Sequence, residues 1–208
     1  FGTFTAMPDL DAVYEGPGMP PFLQNRLLPQ SRPEYDSYLS WLDLPAGTND
    51  QFDILGATGG NRQTDCLKVF PCPEPTSDGR YVIRFFVHGL RHLGQVAIED
   101  AEALDTGDPL FLLLDVQNPH DPDAIMLRTD FPPRLVGYIP RYRASDVRRL
   151  LEACGRESVT VKVVSANRTA PIRMRYLCEL EAPWPQGFRP CDDETFDPIP
   201  DSVCSNNP

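Results

Sequence analysis

The sequence predicts an α+β fold: a small, mostly antiparallel β-barrel or half-open sheet packed on one helix, preceded by a small, mainly helical subdomain. Three observations carry this. Five or six short segments beyond Arg80 are rich in β-branched and aromatic residues and are separated by turn-forming ones. Only one long segment there, residues 144–153, has helical spacing of its apolar positions. The chain holds 23 prolines in 208 residues, roughly twice the usual share, which favours punctuated turns over long helices.

In the first part, residues 1–75, Phe22, Leu23, Leu27 and Leu28 suit a short helix stopped by Pro29. Ser31 is a candidate cap for the next helix, with Pro33 in its first turn and Glu34 in capping-box position. Tyr35, Tyr38, Leu39 and Leu42 then fall on one face, and Pro45 lies beyond its end. Asp50 is placed to cap a further turn or two over residues 51–56, and Gly59-Gly60 predicts a turn into a strand at 64–70. Residues 72–79 read as a linker.

From residue 80 to 183 the pattern is one of strands. Residues 81–89 run into Leu90-Arg91-His92-Leu93-Gly94, whose flanking glycines mark a turn or a close backbone approach. Residues 110–116 are a continuous apolar run, short enough for a strand buried on both faces. Residues 124–129 and 135–139 follow, with Tyr138 expected in the core, and the intervening turns are 118–122 and 130–133. The helix at 144–153 presents Val147, Leu150 and Leu151 on one face and stops at Gly155. Residues 158–165 and 172–181 are the closing strands. Residues 184–208 are rich in Pro, Asp, Ser and Asn and read as a mobile tail.

Composition narrows the classes of function. No apolar run approaches the roughly 20 residues of a membrane span, and no secretory signal is visible, so a cytoplasmic protein without membrane contact is expected. The six cysteines contain no Cys-x-x-Cys pair and the three histidines lie near none of them, which argues against a zinc module and for ordinary thiols. The net charge of −11 argues at first against a polyanionic partner. Its distribution is uneven, however: residues 128–176 hold 11 basic and 4 acidic side chains, whereas every other block is acidic. Nearly all of these cations are arginine, which suits phosphate or carboxylate, so they either track a nucleic-acid backbone or pair with acidic groups of the same fold.

Two blocks carry a resemblance. Leu112-Leu113-Leu114-Asp115-Val116-Gln117-Asn118-Pro119-His120-Asp121-Pro122-Asp123-Ala124-Ile125 and then Leu135-Val136-Gly137-Tyr138-Ile139-Pro140-Arg141 resemble the central signature of the HIRAN family, in its bacterial form, and Gly89-Leu90-Arg91-His92 resembles the end of that family's first strand. The resemblance implies a barrel related to OB and SH3-like folds that holds the 3′ end of single-stranded DNA without catalysis or cofactor. Carried over by position, it nominates Arg91 for phosphate, Asn118 and Asp121 for the terminal nucleotide, and His92 and His120 where relatives place tyrosines. Arg141 and Arg168 join them from the basic stretch. Asn118 and Asp121 also have a purely local reading, since Asx residues beside prolines stabilise their own turns.

The first part bears a fainter likeness. Phe22 to Pro29, followed by Phe52 to Gly60, resembles the N-terminal subdomain of HipA-type kinases, which implies an antitoxin-like regulator that binds such a kinase through residues 1–75. No phosphate loop, Gly-x-Ser-x-Gly or His-Glu-x-x-His spacing occurs, so no catalytic or metal-binding residue is nominated.

Overall fold

The computed structural model describes residues 15–62, 67–93, 103–193 and 196, without the side chain of His92. The chain forms two compact units, one of Phe1–Leu39, Pro45–Pro71 and Cys191–Pro208, the other of Ser40–Leu44 and Cys72–Pro190.

Among the described residues the first unit holds three short helices, α1 (Pro21–Gln24), α2 (Tyr35–Trp41, whose last two residues fall in the second unit) and α3 (Gln51–Thr58). Asp50 caps α3 by accepting from the backbone N–H groups of Phe52 and Asp53, which satisfies two donors that have no partner within the helix. Gly59 and Gly60 both take positive φ (68° and 59°) and turn the chain, as expected. The strand expected at 64–70 is not found over Leu67–Phe70, where the Val69 N–H donates to the Gly59 carbonyl; Thr64 to Cys66 lie outside the described residues. Leu39, Leu55 and Ile54 are buried, and the Arg26 guanidinium donates to the Gly60 carbonyl at 2.7 Å.

The second unit is a six-stranded antiparallel sheet of β1 (Arg80–Phe86), β2 (Pro109–Leu114), β3 (Ile125–Arg128), β4 (Leu135–Tyr138), β5 (Thr160–Ala166) and β6 (Tyr176–Pro183) in the order β1-β6-β5-β2-β3-β4. The two ends of this order meet. Just beyond β1, His88 forms an isolated bridge with Tyr138 of β4, each donating to the other's carbonyl at 2.9 Å. The sheet therefore curls into a half-barrel whose two edge strands meet, among the described residues, at that pair, a seam that satisfies backbone groups at their ends. Helix α4 (Arg141–Cys154) packs Val147 and Leu150, both fully buried, into the same core as Ile125, Leu127, Val161 and Leu180. It ends at Gly155 (φ 79°), as the sequence predicts.

Glycine makes the seam possible. A Cβ on Gly137 would lie 2.4 Å from Cγ1 of Val87 and 2.5 Å from the His88 carbonyl oxygen, and one on Gly89 would meet the Tyr138 ring at 3.0 Å. Both residues have positive φ as well (150° and 78°).

Two expectations are corrected. Residues 110–116 are not buried on both faces, since Leu110 is 4% exposed while Phe111 and Leu113 are 38% and 42% exposed. Tyr138 is not a core residue: it is half-buried on the outer face, whereas Val136 is buried. The register between β3 and β4 shifts between Leu127 and Arg128, so two residues of equal strand parity point to opposite sides.

Beyond β6, Trp184 and Phe188 pack on Tyr81 with ring centroids 5.5–5.9 Å apart in each pair, and the guanidinium of Arg149 lies 4.9 Å from the Phe188 ring. In the first unit Phe196 stands edge-on to Phe70 at 5.9 Å. Cys72, Cys154 and Cys178 carry free thiols, and burial pushes that of Cys178 up to about 12. No helix among the described residues is long and apolar enough to cross a membrane.

Candidate nucleic-acid interface

The turn leaving β2 is built on Asn118. Its Oδ1 accepts from the N–H groups of His120 (3.0 Å) and Asp121 (3.1 Å), while its Nδ2 donates to Oδ2 of Asp115 (3.2 Å). Asp121 repeats the device, accepting from Asp123 N–H at 3.0 Å through Oδ1. These Asx bonds give the N–H groups of His120, Asp121 and Asp123 acceptors within the turn itself. Asn118 is thereby committed to shaping the loop, and Oδ2 of Asp121 faces Nε of Arg141 at 3.9 Å. His120 stands exposed at the tip.

Tyr138 links this turn to the seam. Its hydroxyl donates to Oδ2 of Asp115 at 3.1 Å, and its ring lies against Gly89, whose left-handed backbone opens the one-turn 3-10 helix Leu90–His92. Leu90 is buried and Arg91 exposed on that turn, which packs beside β4 and beside a second 3-10 turn, Ile172–Met174. His88 meets the edge of Tyr142, the second residue of α4, at 6.2 Å. Burial first, and then the Asp115 carboxylate, raises the Tyr138 phenol above its ordinary value, and burial does the same for Tyr142. Both rings therefore stay neutral well above pH 7, which suits a surface that meets phosphates.

The contacts run without a break from Gly89 through Tyr138, Asp115 and Asn118 to Asp121 and Arg141. Of the residues that the sequence nominates, Asn118, His120, Asp121 and Arg141 are brought together, and Arg91 sits on the adjoining turn. Arg168 lies apart from these contacts, donating to Asp105 Oδ1 at 2.7 Å and to the Leu104 carbonyl at 3.3 Å, ahead of β2. The side chain of His92 lies outside the described residues.

Sequence reasoning missed Asp115 as the hub of the site, and Tyr138, His88 and Tyr142 as its aromatic wall. A signal for Asp115 was present, because a carboxylate interrupting the apolar run 110–116 marks where the strand leaves the sheet. The basic stretch also proves less available than its count suggests. Arg148 pairs with Asp123 and Glu152, Arg149 with Asp146, and Lys162 with Glu179, so part of its charge is spent within the fold.

A small antiparallel half-barrel, whose edges meet at one seam beside an open polar and aromatic wall, defines a binding module. The HIRAN domain family matches residues 80–184. The chain belongs to that family, whose domain is a DNA-binding module. Two solved structures are similar to it: a protein from Lactobacillus plantarum, at 20% identity and a TM-score of 0.41 over 50% of this chain and 97% of that one, and the HIRAN domain of human HLTF, at 16% and 0.35 over 51% and 78%. No curated protein matches the chain. The family match begins at residue 80, and nothing in these comparisons supports the likeness of residues 1–75 to HipA-type kinases or the kinase partner it implied.

Proposed function

We propose that this protein is a non-catalytic module that holds the 3′ end of single-stranded DNA against the wall formed by Gly89, Tyr138 and the Asn118 turn. The observation that carries the reading is the Tyr138 to Asp115 bond, which joins the two loops that the family resemblance assigns to the ligand into one surface. Arg91, exposed on its short helix, takes a phosphate, and Arg141 takes the next along the backbone. Asn118 acts through shape, holding the peptide groups of His120 and Asp121 in place, while His92 and His120 offer rings to the bases. Asp121, whose Oδ2 lies 3.9 Å from Nε of Arg141, accepts from the terminal hydroxyl.

The test is binding of a labelled oligothymidylate ending in a 3′-hydroxyl, compared with the same strand ending in a 3′-phosphate. The hydroxyl end is expected to bind more tightly. Arg91→Ala should weaken binding and reduce the salt slope by about one. Equal affinity for both ends, with affinity and slope unchanged in Arg91→Ala, would exclude end recognition at this wall.

A further inference from the structure

The outer surface of the barrel is divided into two unlike halves. Over β1, β6 and β5 it is closed by charges: Arg84 bonds Glu179 (3.0 Å) and Asp43 (2.7 Å), Lys162 bonds Glu179 (2.9 Å), and Arg80 bonds Glu181 (2.8 Å). Over β2 and β3 it is apolar and open. Phe111 and Leu113 are more than one-third exposed, and the guanidinium of Arg128 lies over the Phe111 ring, 5.0 Å from its centroid. That guanidinium is braced by its bonds to the carbonyls of Thr129 and Asp130. In the turn that follows, Phe131 is 91% exposed.

This open half is continuous with the wall described above. Cross-strand register sets Leu113 beside Met126, Met126 beside Tyr138, and Tyr138 beside His88, so one row of outward side chains crosses from β2 to the seam. From Phe111 to Asp115 is four residues of extended chain, about 14 Å. That is the length of about four stacked nucleotides at 3.4 Å each. Charge agrees with an anionic occupant, since residues 128–141 carry Arg128, Arg134 and Arg141 against Asp130 alone.

We propose that the outer face of β2 and β3 is a stacking track for single-stranded nucleic acid, in which Phe111 and the Arg128 plane hold bases several nucleotides upstream of the terminus. This rests on the end-binding reading and extends it to the body of the strand. A flat aromatic ring backed by a guanidinium accepts any base, because every base has a π-face, so the track adds affinity without sequence preference.

The 208-residue chain is titrated with 5′-labelled oligothymidylates of about 3 and about 12 nucleotides, both with free 3′ ends. The 12-mer is expected to bind more tightly than the trimer. In Phe111→Ala the advantage should fall by at least about fivefold while trimer affinity stays unchanged. Arg128→Ala, which removes no buried group, should repeat that selective loss and so keeps the test valid if the first variant folds poorly. A wild-type protein with no length advantage, or variants that retain it, overturns the track and leaves end binding standing. Self-association that Phe111→Ala abolishes, with length dependence untouched, assigns the face to a second copy of the chain and also overturns it. Failure of both oligonucleotides to bind the wild type removes the end-binding reading and the track with it.

Discussion

The phenol of Tyr138 donates to Oδ2 of Asp115 at 3.1 Å, so the last residue of β4 is tied to the first residue beyond β2. Tyr138→Phe removes that bond but leaves Asp115 its Asn118 amide. A loss of about 0.5–1.5 kcal/mol in urea unfolding is expected. The phenol titrates above its ordinary value, so its stabilisation is complete below the unfolded tyrosine value near 10 and disappears as pH rises through the higher folded one. The two proteins should therefore differ at pH 7 and converge in strong alkali. A difference that stays constant up to pH 12 contradicts this account.

Gly137 sits where no side chain fits, against Val87 and the His88 carbonyl, with φ at 150°. Gly137→Ala is expected to cost about 1–3 kcal/mol from overpacking alone, with backbone strain added. The seam should suffer first. Amide exchange at His88 and Tyr138 should accelerate more than exchange within β6, and uniform acceleration would mean that the seam is not the weak point.

Asn118→Ala removes one amide that serves two backbone donors and one carboxylate. About 1–2 kcal/mol of stability should be lost. Oligothymidylate binding should weaken as well, even though the side chain's oxygen is already engaged, because the loop geometry fails. Asn118→Asp keeps the acceptor and should restore part of the stability; wild-type stability in Asn118→Ala would show that the prolines hold the turn unaided.

Partial burial pushes the Glu179 carboxyl upward, but hydrogen bonds from Lys162 and Arg84 outweigh it and hold the group below its usual value. Such a carboxylate stabilises fully above the unfolded glutamate value of about 4.3 and loses the contribution as pH falls through the lower folded value. Glu179→Gln should be less stable than wild type by about 1 kcal/mol at pH 7, and the two should converge below about pH 3. Lys162 is raised by the same pair, so its share disappears instead at pH above the lysine range. Thermal unfolding at pH 3, 7 and 11 checks both ends; a deficit unchanged at pH 3 would assign the effect to packing.

Strand and helix positions were legible because they depend on neighbours a few residues apart. Asp50 and Gly59 delimit α3, Gly155 ends α4, and the alternating apolar residues of β5 and β6 announce their buried faces. The Asn118 turn was legible for the same reason, since its bonds reach no further than three residues. The strand expected at 64–70 is not formed over Leu67–Phe70, because β propensity is a local preference and strand formation also depends on pairing that sequence alone does not set.

What the amino-acid order settled by itself was therefore most of the elements beyond residue 80, their turns and the family to which residues 80–184 belong. The tertiary structure alone decided which side of the sheet faces water, because one register shift at Leu127 sends Tyr138 outward and Val136 inward against their common parity. It also decided that Asp115 is the hub of the site and that much of the arginine stretch is paired. Those outcomes depend on groups brought together by curling the sheet upon itself, and a local pattern carries no information about such distant pairings.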